Sequence, residues 1–200
     1  MIGRSLIGIA LCSWVVACSG PTSTQSSPLA PAPPADMTSA AAASQGIMAT
    51  AAVGRSDVMV NLMDACDPDT FNATIGPGTC LRSGGMTFEQ FIAQLTRSGS
   101  VGAWRFAPPA ANVRVGQTFL ATNRGGEVHT FTEVDNFGGG IVPFLNQLAH
   151  TATEAPECAT LEADDFVAPG TTYHETVDRT GTLKYQCCIH PWMRMEVSSR

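Results

Sequence analysis

From residue 57 the chain runs as short apolar–polar alternations separated by Gly, Pro, Asn and Asp. Asp57 to Met63 alternates loosely and reads as a first strand, and Thr118 to Asn123, Glu127 to Val134, Tyr173 to Val177 and Leu183 to Cys187 read the same way. Trp104 to Pro108 leads into a further strand at Asn112 to Val115, which turns at Gly116-Gln117, and Met195 and Val197 alternate as the last strand. Phe166 to Gly170 and Arg179 to Gly181 are turns. Only one stretch has a clear helical period. In Thr87 to Arg97 the apolar residues Phe88, Phe91, Ile92 and Leu95 share a face, Thr87 and Gln90 have capping-box spacing, and Gly99 is a stop. Gly138 to Leu148 reads as a loop with a short helical turn, and Asp64 to Cys80 as a turn-rich loop. Many short strands and one helix predict an all-β sandwich.

The N-terminal quarter changes the picture. Arg4 followed by the apolar run Ser5 to Trp14 is too short to span a bilayer and reads as a signal peptide over residues 1–18. It ends in Val15-Val16-Ala17-Cys18, which resembles the lipobox of bacterial lipoproteins, where the cysteine becomes a lipidated N-terminus. The alternative is an ordinary signal peptide cut after Ala17. Residues 19–55 are rich in Ser, Pro, Ala and Thr and too poor in bulky apolar residues to offset the entropy of ordering. They read as a tether of roughly 30–35 Å reach. Residues 56–200 are long enough for one domain with its own core. The formal net charge of −6, with no basic stripe, argues against nucleic acid as a partner.

That domain holds five cysteines, an odd number for an exported chain, and one must be left over. Cys66 and Cys80 are expected to close the Asp64–Cys80 loop. A calcium site using Asp64, Asp67 and Asp69 is the weaker reading, because the spacing and the terminal glutamate of an EF-hand are missing. Near the C-terminus, Cys187, His190 and Met193 put a thiolate, an imidazole and a thioether within seven positions, and His129 offers a second imidazole far upstream. Two histidines, a cysteine and a weak axial methionine suit copper. Cys187 rather than Cys188 gives the Cys-x-x-His spacing. Neighbours on a strand face opposite ways, which leaves Cys188 to bond Cys158 or to remain a free thiol. Met195 is the alternative axial ligand, at a longer spacing. His150, in polar loop sequence, and His174, on a solvated strand face, gain no such support.

Together, Phe106-Ala107-Pro108, Val115-Gly116-Gln117, Asn123 through His129, Pro169-Gly170, Gly181 through Tyr185 and Cys187 through Met193 resemble the cupredoxins. The resemblance covers Trp104 to Val197, and the ligand loop is most similar to that of amicyanins. It implies a cupredoxin-like Greek-key β-sandwich holding one copper ion near one end. The segment at about 64–103 would then be an inserted disulfide loop with a short helix. The family's usual role is single-electron transfer between redox proteins, without catalysis. Where the family often has Asn after the first histidine and Ser or Thr after the cysteine, this chain has Thr130 and Cys188.

The expectation is therefore a monomeric, exported blue-copper electron carrier, lipid-anchored at Cys18 in the cell envelope. A redox donor and acceptor would dock transiently at an apolar patch of Pro191, Trp192 and Phe144 around an exposed edge of His190. Three other readings compete. A copper chaperone or store lacks the expected Met-rich or His-rich tracts, and a metal-free interaction module leaves the intact ligands unexplained. Thiol–disulfide exchange lacks a Cys-x-x-Cys arrangement. Four histidines are too few for a multicopper oxidase.

Overall fold

The computed structural model describes residues 56–151 and 153–200. The expected signal peptide, Cys18 and the tether over 19–55 lie outside the described residues. Among those described, no helix is long and apolar enough to cross a membrane.

Among the described residues, ten strands make two four-stranded sheets and one short pair. The first sheet orders β2 (Arg105–Ala107), β1 (Val58–Met63), β4 (Thr118–Asn123) and β8 (Thr172–Thr176). The second orders β3 (Ala110–Val113), β10 (Arg194–Ser199), β9 (Gly181–Gln186) and β6 (Thr132–Val134). β5 (His129–Thr130) pairs with β7 (Phe166–Val167). The result is the all-β sandwich that the alternation predicted. Register follows burial: Val60 and Leu62 of β1 are fully buried while Met59, just before them, faces outward. Leu183 lies opposite Val197, and Tyr185 opposite Met195, so all four point into the sandwich. The Tyr185 ring stacks on Phe131 at 4.5 Å, and Phe119 meets both edge-on.

The segment between β1 and β2 packs its apolar residues into the same core as the sandwich. Thr87 and Gln90 form the full capping box of helix α2 (Phe88–Ser98), and Gly99 ends it in the left-handed conformation with φ 67°. Phe91 and Leu95 are buried, which contributes roughly 1.5–3 kcal/mol each. They meet helix α1 (Pro68–Thr74), which lies where the sequence suggested only a loop. Its start signals are Asp67, whose side chain accepts from the Thr70 N–H, and Pro68 in the first turn. Phe71 of α1 packs on Phe88, Phe91 and Trp104 at 5.3, 5.5 and 5.9 Å. The Cys66–Cys80 disulfide, with Cα atoms 6.1 Å apart, ties α1 to the loop that follows.

One further departure bears on the site. The strand expected over Glu127 to Val134 divides into β5 and β6 at the buried Phe131, so that His129 pairs with Val167 of β7 while Val134 pairs with Lys184 of β9. Helix α3 (Pro143–Leu148) is the expected short helical turn. It follows Ile141, whose N–H donates to the Cys188 carbonyl at 2.7 Å.

Candidate metal centre

Three chain segments meet at one end of the sandwich. The first is the turn from β4 to β5. Asn123 is fully buried: its amide nitrogen donates to the carbonyls of Glu127 and Val167, both at 2.7 Å, and its side-chain oxygen accepts from the Gly125 N–H. That network fixes the backbone leading into His129. The second segment is the loop after β9, which closes on itself. The Cys187 N–H donates to the Met193 carbonyl at 3.0 Å, and the Met193 N–H to the His190 carbonyl at 2.9 Å. Thr130 joins the two segments, its hydroxyl accepting from the Cys188 N–H at 2.8 Å and its own N–H approaching the Cys187 sulfur at 3.4 Å.

The donors of His129, Cys187 and His190 lie within 4.8 Å of one another, and all three residues are buried. The Nδ1 atoms of His129 and His190 each stand 3.8 Å from the Cys187 Sγ. Metal bonds of about 2.0–2.3 Å at about 120° separate a sulfur from a nitrogen by about 3.8 Å. Both sulfur–nitrogen separations therefore fit ligands of a single ion. Met193 is fully buried in the same loop. Cys187 is the one free cysteine among the described residues, and Cys158–Cys188 is a disulfide with Cα atoms 5.4 Å apart.

The third segment comes from the insertion. Asp64, directly after β1, places Oδ2 2.9 Å from the His129 Nε2 and accepts the N–H groups of Gly126 and Glu127 at 2.9 and 3.0 Å. At the other end of the insertion, the Trp104 indole N–H donates to the Glu127 Oε2 at 2.6 Å. That oxygen stands 3.6 Å from the His190 Nε2. Gly125 and Gly126 permit this close approach. A Cβ on Gly125 would run into the Asp64 carboxylate, and one on Gly126 would come within 2.6 Å of the Cys66 sulfur.

The charges follow from these contacts. Burial alone would push the Cys187 thiol up, but the two imidazoles outweigh it and hold the group well below the usual thiol range. Burial would lower His129, yet the Asp64 and Cys187 hydrogen bonds raise it to about 9. Burial also presses on Asp64, but His129 and the backbone N–H groups leave it below the ordinary carboxylate range. Burial raises Glu127, against the opposing pull of His190 and Trp104.

No family model and no curated protein matches this chain. Among solved structures, it is similar to a purple cupredoxin from Nitrosopumilus maritimus, at 16% identity over 72% of this chain and 100% of that one, with a TM-score of 0.41. It is also similar to an amicyanin variant in the Cu(I) state, at 24% identity over 48% of this chain and 73% of that one, with a TM-score of 0.31. An oxidised amicyanin variant matches at 16% identity over 75% and 88% of the two chains, with a TM-score of 0.35. The similar structures are cupredoxins.

The docking patch expected from the cupredoxin resemblance needs correction. His190 is only 3% exposed, and Pro191 is buried. Trp192 is half-buried between Phe91 at 5.9 Å and His190 at 5.4 Å. Phe91 of helix α2 and Trp104 pack over the loop that carries His190 and Trp192, which leaves the His190 ring almost wholly buried. Phe144 alone of the three is exposed, at 52% on α3. His150 and His174 are exposed and away from the cluster. Asp64, Glu127 and Trp104 were not singled out for this site. The sequence around Asp64 suggests at most a calcium loop, and nothing in its local pattern announces a contact 65 residues away.

Proposed function

We propose that this chain is a cupredoxin-type electron carrier that binds one copper ion through His129, Cys187 and His190, with Met193 as the weak axial ligand. The observation that carries this reading is the buried set of one thiolate and two imidazole Nδ1 atoms, each nitrogen 3.8 Å from the sulfur. Copper, when bound, supplies a Cu(I)/Cu(II) couple, and this mixed sulfur–nitrogen set accepts both states. The chain's own residues hold the donors at their separation through Thr130, Asn123 and the Cys187–Met193 backbone bond, so little has to move when the charge changes. Support for Met193 over Met195 comes from register: Met195 sits in β10 opposite Tyr185 and belongs to the sandwich interior.

The protein works in the cell envelope. Two disulfides suit an oxidising compartment, and the N-terminal pattern would anchor the chain by lipid at Cys18 on the 19–55 tether. Redox donor and acceptor proteins would meet it transiently. Burial of all three strong donors counts against a chaperone that hands copper on. The test is copper loading followed by optical spectroscopy and voltammetry. The expected result is an intense visible band and a reversible one-electron couple, both lost in Cys187→Ala. A colourless copper protein, or colour that survives Cys187→Ala, refutes the assignment.

A further inference from the structure

The insertion contributes one residue that touches a proposed ligand directly. Asp64 Oδ2 lies 2.9 Å from the His129 Nε2, and both side chains are essentially inaccessible to solvent. Every other hydrogen bond to this carboxylate comes from a backbone N–H: Cys66 on Oδ1 at 3.3 Å, Gly126 on both oxygens at 2.9 Å and Glu127 on Oδ2 at 3.0 Å. An ionised carboxylate only accepts, so the ring nitrogen facing it must carry the proton. The opposite nitrogen, Nδ1, is the one that faces the Cys187 sulfur.

We propose that Asp64 is a positioning residue for the metal: it fixes His129 as the Nε2–H tautomer, with Nδ1 free for the ion, and places a full negative charge one imidazole away. This rests on the metal-site reading above and gives the insertion a task within it. A carboxylate behind a metal-bound histidine orients the ring and raises its basicity. The added negative charge favours the more highly charged ion, so Asp64 holds the couple towards Cu(II). The backbone bonds to Gly126 and Glu127 make this orientation rigid, because the carboxylate cannot turn away without leaving two buried N–H groups unpaired.

Zn(II) is the probe for the ring. In the Zn(II)-loaded wild-type protein, nitrogen-detected NMR is expected to show His129 bound through Nδ1, with an Nε2–H protected from exchange with water. Asp64→Asn replaces one acceptor oxygen with an NH2 group. It should weaken Zn(II) and Cu(II) binding on the order of 10–100-fold. It should also move the copper equilibrium at least tenfold towards Cu(I), about 59 mV for a one-electron couple. Asp57→Asn, at an exposed position, should change neither. Binding of His129 through Nε2, or free exchange of its Nε2–H, overturns the proposal even if Asp64→Asn fails to fold. A folded Asp64→Asn protein with unchanged affinity and potential overturns it as well. If Zn(II) and copper do not bind at all, the metal site itself is wrong. If both bind without regard to Asp64, only the positioning role is.

Discussion

The Trp104 indole tests whether the insertion is fastened to the site or merely lies over it. Trp104→Phe keeps an aromatic ring among Phe71 and Phe91, whose centroids stand 5.9 and 4.7 Å away, but deletes the N–H that reaches Glu127 at 2.6 Å. The Glu127 oxygen then loses its nearest donor in a buried setting. Hydrogen bonds to charged groups are worth roughly 1.5–3 kcal/mol. The smaller ring leaves a void that costs roughly another 1 kcal/mol. The expected destabilisation is therefore roughly 2.5–4 kcal/mol, read from urea unfolding of the metal-free domain at pH 7 with an unchanged m-value. A loss below about 1 kcal/mol would refute the reasoning, since the buried carboxylate would then have another means of satisfying its charge. A changed m-value would refute it differently, by showing that the insertion unfolds separately from the sandwich.

Three further outcomes follow from the geometry. Replacing Cys158 and Cys188 together with alanine opens a loop whose ends are 30 residues apart, and should cost roughly 3–4 kcal/mol in thermal or urea unfolding. Gly126→Ala would place a Cβ within 2.6 Å of the Cys66 sulfur and 2.7 Å of the Arg82 carbonyl oxygen. It should destabilise the domain by roughly 1–3 kcal/mol, measured the same way. The metal-free pH profile is the third. His129 is raised from 6.5 to about 9, so its contribution is full below pH 6.5 and lost as pH rises through about 9. Cys187 is lowered well below 9.0, so its contribution is full above pH 9 and lost as pH falls towards the folded value. Between pH 6.5 and 9 the two dependences run in opposite directions, so the pair's contribution to stability should change less with pH there than that of either group alone. In Cys187→Ala the sulfur's share in raising His129 is lost with the thiol, so the His129 contribution should be lost at a pH below 9.

The proposed ligands could be named from the sequence because chemistry and local spacing coincide. Cys187, His190 and Met193 share one short loop, and the odd cysteine demanded an explanation. The strands were legible wherever one face is buried, as in β1 and β9. Helix α1 was not, although Asp67 and Pro68 are good start signals, because the surrounding Asp, Pro and Gly residues read equally well as turns. The position of α2 over the ligand loop was not legible for a different reason. Its apolar stripe shows that Phe91 is buried but not against what, and the contact between Phe91 and Trp192 joins distant parts of the chain. The same holds for Asp64: a carboxylate beside a strand end looks ordinary until the fold brings His129 to it.

The two neighbouring sulfurs at the end of β9 lie in separate environments, Cys187 in the main core and Cys188 with Val134, Ala155 and Cys158. Forming the bridge therefore means choosing between adjacent thiols for a single partner. On the proposed reading, a bridge from Cys158 to Cys187 would consume the one sulfur that a copper ion would need, and would do so without removing any residue. On that reading, copper bound before oxidation would protect Cys187 from the error, whereas oxidation in its absence leaves the choice to the pleat of a single strand.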